Sequence, residues 1–286
     1  MKYIKGINES LNSKELNKEE FLNIIRNNCK NFIKYCEFNI FDKYSLIYRK
    51  CEDLGDYVLV DPKSSTKERI APYANNNYHN LLISNLESWK KWPKRNKSLI
   101  CASYARALRH GKEKLYVVIP FDKTKIAVCS ESDFWYSFKN LPLYRSMIEN
   151  NESNSAISFW MDSLIECIDS DIDKKLLNKD WSLLKKFLEV SNISEKDKKR
   201  LFTNKQGRYM YKNYFNLLEN LNNFLNPQLN KFLIGDSIDI MNIYSKLNIK
   251  NDDYISESKE SWMEDEVLLV KVNIFFDEIE KNFIVN

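Results

Sequence analysis

The chain of 286 residues and 34.1 kDa is long enough to bury one elaborate core or two modest ones. Its 44 Lys and Arg stand against 40 Asp and Glu, and a net charge of +4 excludes a nucleic-acid binder recognisable by charge alone. With 43% hydrophobic and 29% charged residues the composition is that of a globular protein, and no run approaches membrane-spanning length.

In chain order, Asn17 with Glu20 has the form of a capping box. It opens one helix whose apolar positions Phe21, Ile24, Ile25, Cys29, Phe32, Ile33 and Cys36 recur at helical spacing. That helix is expected to lie across the sheet that follows. Residues 44–49 (YSLIYR) and 56–60 (DYVLV) read as strands joined by a turn at Gly55. A helix is expected over 77–89, closed by Pro93. The stretch WKKWPKRNK at 89–97 interleaves bases with indoles, but a single short basic run is expected as a solvated connecting loop rather than a nucleic-acid groove.

Residues 98–102 are then an apolar run of strand length, Ser103 can cap a short helix over 104–110 ended by Gly111, and 115–120 is a returning strand. Residues 125–129 give one more short strand. From about 155 to 247 helical patterns follow one another, and β signal returns only at 266–276, EVLLVKVNIFF, which reads as one buried strand.

The six cysteines, Cys29, Cys36, Cys51, Cys101, Cys129 and Cys167, sit mostly in apolar periodic segments, so buried free thiols are expected. His79 and His110 stand in no ligand-spaced pattern, so neither a metal site nor a histidine triad is expected.

Candidate chemistry sits at strand ends, where the scaffold is rigid and the loops leave access. Arg49 ends YSLIYR and can fork onto phosphate oxygens, or form a surface salt bridge to Glu52 or Asp53. Ser98 and Ser103 flank SLICA, and Glu260, Glu264 and Glu266 lie in the last segment, where the run 264–266 equally reads as a solvated turn.

Together these elements resemble the ADP-ribosyltransferase superfamily, in its arginine–serine–glutamate branch, close to uncharacterised viral and bacterial members. Ile47-Tyr48-Arg49 is similar to the family's hydrophobic-Tyr-Arg-Gly motif, with Lys50 where the family has Gly. Residues 99–103, followed by Ala107 and Gly111, are similar to the Ser-Thr-Ser strand and its helix, the first serine falling on Cys101 or Ala102. Residues 264–269 are similar to the Glu-x-Glu motif; Glu260, in Glu-Ser-Trp, is the competing position for the acid.

The resemblance covers about residues 44–138 and 257–276 and implies an α+β fold with a split mixed β-sheet core, placed over 41–150 and 251–286; the helical spacing adds an N-terminal helical segment at 1–40 and a helical insertion at 151–250. The resemblance implies cleavage of the nicotinamide–ribose bond of NAD, the substrate cofactor, and transfer of ADP-ribose to an acceptor that the sequence leaves open among a protein side chain, a nucleic acid, a small molecule and water, with a protein ranked ahead of a nucleic acid. NAD glycohydrolysis and a non-catalytic interaction protein on the same scaffold are the alternatives. Glu260 or Glu266 is the implied catalytic acid, Arg49 the ligand of the pyrophosphate or ribose, and Ser98 or Ser103 the orienting serine. Tyr78 is a stacking candidate for nicotinamide. A toxin-like protein of the cytoplasm, or of the host cytoplasm if viral, is expected, with no membrane partner. Glu260→Ala is expected to stop turnover and leave folding intact.

Overall fold

The structure, a computed structural model, describes residues 12–38, 46–65, 84, 86–103, 114–130, 134, 226–227, 259–279 and 282. The chain divides into two compact units, one of residues 1–7, 70–90 and 138–230, the other of 8–69, 91–137 and 231–286. In the first, the described residues include a 3-10 turn at Glu87–Trp89 with an ion pair between Lys90 and Glu87. The helices expected over 77–89, 104–110 and 155–247 fall mostly or wholly outside the described residues.

The second unit is α+β and is built on an eight-stranded sheet. Its strands are β1 (Ser13–Glu15), β2 (Ile47–Cys51), β3 (Tyr57–Val60), β4 (Leu99–Ser103), β5 (Lys114–Pro120), β6 (Ile126–Val128), β7 (Glu260–Met263) and β8 (Val267–Lys271). They lie in the order β1-β3-β8-β5-β2-β4-β7-β6. Every ladder among them is antiparallel, which corrects the expected split, mixed sheet. Successive strand residues point to opposite faces, and Val117, Val118, Val267, Leu268, Leu269 and Val270 are all fully buried. Both faces of the sheet centre are therefore covered, and its strands are continuous apolar runs rather than alternating ones.

The capping box forms as expected: Asn17 Oδ1 accepts from the Glu20 N–H at 2.9 Å and Glu20 Oε2 accepts from the Asn17 N–H at 3.0 Å. The single expected helix is two, α1 (Lys18–Asn28) and α2 (Lys30–Phe38). The cause is tertiary. In the turn after β5, the Asp122 N–H donates to the Asn28 carbonyl at 2.7 Å, and the Asp122 carboxylate accepts from the Asn31 N–H at 2.8 Å. A carboxylate thus sits in the first turn of α2, where its unpaired N–H groups favour negative charge.

Phe21, Ile25, Cys29, Phe32 and Cys36 join the core of the sheet, as the helical spacing predicts. The Phe21 and Tyr57 ring centroids lie 4.7 Å apart. Five cysteines are described, all buried and none in a disulfide, and burial drives the Cys29 thiol upward and that of Cys36 to about 12.

The strand expected over 266–276 is also divided. β8 stops at Lys271 and α3 (Val272–Ile279) begins at once, although apolar residues continue from one into the other. Lys271 marks the change: its Nζ lies 2.8 Å from Asp56 and 3.0 Å from Asp53, and its N–H donates to the Asp56 carbonyl. Beyond it the chain leaves the ladder, and Phe275 packs edge-on to Phe32 at 6.1 Å.

The turn between β2 and β3 is held by the same group. Gly55 takes φ 107, the left-handed region that disfavours a Cβ, and its N–H donates to Asp53. The Tyr116 hydroxyl accepts from the Leu54 N–H at 2.9 Å and lies 3.0 Å from the Gly55 carbonyl; burial pushes its pKa up to about 12.

The Lys271 ammonium, and then the Gly55 N–H, hold the Asp53 carboxyl below its usual range. A lowered folded-state pKa means the unfolded chain binds the proton more readily. The contribution of Asp53 is therefore full above the unfolded carboxylate value of about 3.9 and is lost as pH falls through the folded value. Urea unfolding of the wild type and of Asp53→Asn at a series of pH values is expected to show their stability difference shrinking on acidification. A difference that stays constant from neutral to about pH 3 rules this linkage out.

Candidate functional site

β7 was the strand least visible in the sequence, and it organises the site. Its alternation places Glu260 and Trp262 on one face, and Glu264, just past the strand, continues the same parity. Each of these side chains holds one residue of a single turn. Arg95 Nε and Nη2 both donate to Glu260 Oε1, at 3.0 and 2.7 Å. Trp262 Nε1 donates to the Pro93 carbonyl at 2.9 Å, and the Lys94 N–H donates to Glu264 Oε2 at 2.5 Å. Ser98 closes the turn from within, its Oγ donating to the Lys94 carbonyl at 2.7 Å.

The expected solvated loop is thus corrected. Trp92, Pro93, Arg95, Asn96 and Ser98 are buried, while Lys91, Lys94 and Lys97 are exposed. The basic run keeps its lysines in water and turns its arginine inward. Arg95 is 8% exposed and Glu260 6%, so this is a buried ion pair, unlike the surface pairs around it. Aromatic rings flank it: the guanidinium carbon lies 5.1 Å from the Phe134 ring and 5.9 Å from the Trp262 ring, and these two rings meet edge to face at 5.7 Å.

The serine-bearing strand β4 lies between the arginine-bearing β2 and the acid-bearing β7. Register sorts the candidates by end. Ala102 pairs with both Tyr48 and Glu260, so Arg49, Ser103 and Glu260 all lie within one row of Ala102, at one end of the three strands. At the other end Leu99 pairs with Met263, which puts Ser98 beside the β7–β8 turn that carries Glu264 and Glu266. At about 3.3 Å per residue, Met263 is already about 10 Å of strand away from Glu260.

The acids of that turn have loops to hold. Glu264 takes the Lys94 N–H and lies 3.8 Å from Lys63 Nζ, and Asp265 accepts from the Lys125 N–H. Glu266 is exposed, and its carbonyl accepts from Thr124 Oγ1. The solvated-turn reading of 264–266 describes Glu266 and fails for Glu264.

Parity sorts the candidates by face. Tyr48, Ala102 and Glu260 form one cross-strand row, so their side chains share a face. Arg49 follows Tyr48 and points to the other face. Its Nη1 donates to the Ile100 carbonyl at 2.5 Å, beyond the last residue pair of the β2–β4 ladder, where the expected surface partner was Glu52 or Asp53. On the Arg49 face, Cys101 pairs with Ser261, whose Oγ is buried without a hydrogen bond. The backbone of Ser103 belongs to β4, and Tyr78 lies outside the described residues.

Sequence reasoning missed Arg95. The one local signal for it was a charged group beside Trp92 and Pro93, since a turn bounded by Trp and Pro rarely floats free in water. Its partner lies 165 residues away. The expected harmlessness of Glu260→Ala for folding is corrected on the same ground, because Ala there strips a buried arginine of its carboxylate.

No family model, curated protein or solved structure matches the chain. Among the described residues no helix is long and apolar enough to cross a membrane.

Proposed function

We propose that the chain is an NAD-dependent ADP-ribosyltransferase with Glu260 as its catalytic acid. The observation that supports this reading is the strand order: β4 lies between the strand of Arg49 and the strand of Glu260, and Glu260 is the one of the three candidate acids at the Arg49 end. In the proposed reaction the bond between ribose C1′ and the nicotinamide nitrogen breaks, and nicotinamide leaves with the bonding pair as a neutral pyridine. An oxocarbenium-like ribose remains. The lone pair of an acceptor forms the new bond to C1′, and the acceptor gives up its proton to solvent or a base. The Glu260 carboxylate stabilises the developing positive charge through the ribose hydroxyls, as carboxylates do in glycoside hydrolysis. The acceptor is proposed to be a protein side chain; water in its place makes the enzyme a glycohydrolase.

The second reading, a non-catalytic interaction protein on this scaffold, is favoured by the burial of Glu260 against Arg95 and by the position of Arg49 on the opposite face. One experiment separates the two. Nicotinamide release from NAD is followed with the wild type, Glu260→Gln and Glu266→Gln, the amides being chosen because they keep the shape of the side chain. Release by the wild type and Glu266→Gln but not by Glu260→Gln is expected. No release by the wild type, with no NAD binding by calorimetry, overturns the transferase reading and leaves the second.

A further inference from the structure

We infer that Arg95 is the positioning residue for Glu260, an inference that rests on the transferase reading above. Both donors of its fork converge on the single oxygen Oε1, at 3.0 and 2.7 Å. Two donors on one oxygen hold Oε1 from two directions, and the planar carboxylate then places Oε2 relative to it. A lone ammonium on a flexible stem does not impose that placement.

The arginine is itself held. Its turn is tied to β7 and to the residue just past it, by Trp262 Nε1 on the Pro93 carbonyl and by Glu264 Oε2 on the Lys94 N–H, and internally by Ser98 Oγ on the Lys94 carbonyl. Phe134 and Trp262 flank the guanidinium. The acid therefore stands on a strand, its orienting partner on a turn bolted to that strand, and both are nearly excluded from water. That is the arrangement by which a supporting shell holds a reacting group to within a fraction of an ångström. The guanidinium opposes a cationic ribose electrostatically, so its contribution lies in geometry, and it is made through Glu260 rather than on the substrate.

The test is steady-state nicotinamide release by the full chain against NAD concentration. Arg95→Lys keeps the positive charge and loses the fork; kcat is expected to fall at least about tenfold while KM for NAD stays within about twofold. Arg95→Gln, whose amide still donates, is the second variant, read only on protein with wild-type circular dichroism. Asn17→Ala removes the cap of α1 and controls for lowered stability; its kcat is expected to be that of the wild type. Wild-type kcat in both Arg95 variants, or a rise in KM alone, overturns the inference and leaves the transferase reading standing. Absence of release by the wild type overturns both.

Discussion

Arg95→Met is expected to destabilise the fold by about 3–5 kcal/mol, because it removes the guanidinium from a carboxylate that is only 6% exposed. The size follows from an asymmetry. Forming a buried ion pair returns little net energy, since two charges must leave water to make it. Removing one partner recovers none of the desolvation of the other. The double variant Arg95→Met, Glu260→Met is therefore expected to be more stable than Arg95→Met alone, and urea unfolding of the wild type, both single variants and the double gives the coupling directly. A loss below about 1 kcal/mol for Arg95→Met would show that water reaches the pair, as it does at a surface bridge.

Trp262→Ala is expected to cost about as much, about 3–5 kcal/mol, by a different mechanism. The indole is fully buried, and its removal opens a cavity between Phe134 and the guanidinium of Arg95. It also leaves the Pro93 carbonyl without its Nε1 donor. Trp262→Phe separates the two effects. It retains most of the packing and loses the hydrogen bond, so about 1–3 kcal/mol is expected from the buried acceptor. If Trp262→Phe proves as damaging as Trp262→Ala, the hydrogen bond to the turn outweighs the packing. If it is neutral, the turn does not depend on that bond. In either variant the Arg95 turn loses one of its ties to β7, and coupling between Trp262→Phe and Arg95→Met in a double-mutant cycle measures how far the ties act together.

Much of the scaffold was legible because it is written in short-range chemistry. Apolar runs marked β3, β4 and β5 to within a residue or two and the start of β8 to within one, Asn17 and Glu20 marked the start of α1, and Gly55 marked a turn that needs positive φ. Burial of the five described cysteines agrees with the apolar segments that hold them. The order β2-β4-β7, which sets the serine-bearing strand between those of Arg49 and Glu260, joins strands far apart in the chain. β1 and β7 were missed as strands because neither looks like one. β1 is three exposed residues on a sheet edge, and β7 is four residues that begin with a charge.

By itself, then, the sequence determined the strand-forming runs, the capped helix start, the glycine turn and the α+β class, all set by a residue and its near neighbours. Tertiary structure alone decided the rest. Asp122 breaks one helix into two from across the core, and Lys271 ends β8 by reaching back to Asp53 and Asp56. Register decided that Glu260 and not Glu264 or Glu266 shares an end with Arg49, and parity decided that the two point to opposite faces, since a shift of one residue reverses every side chain. The Arg95–Glu260 pair joins a residue of an expected solvated loop to a candidate acid 165 residues away, and only the closing of the chain between them takes both out of water.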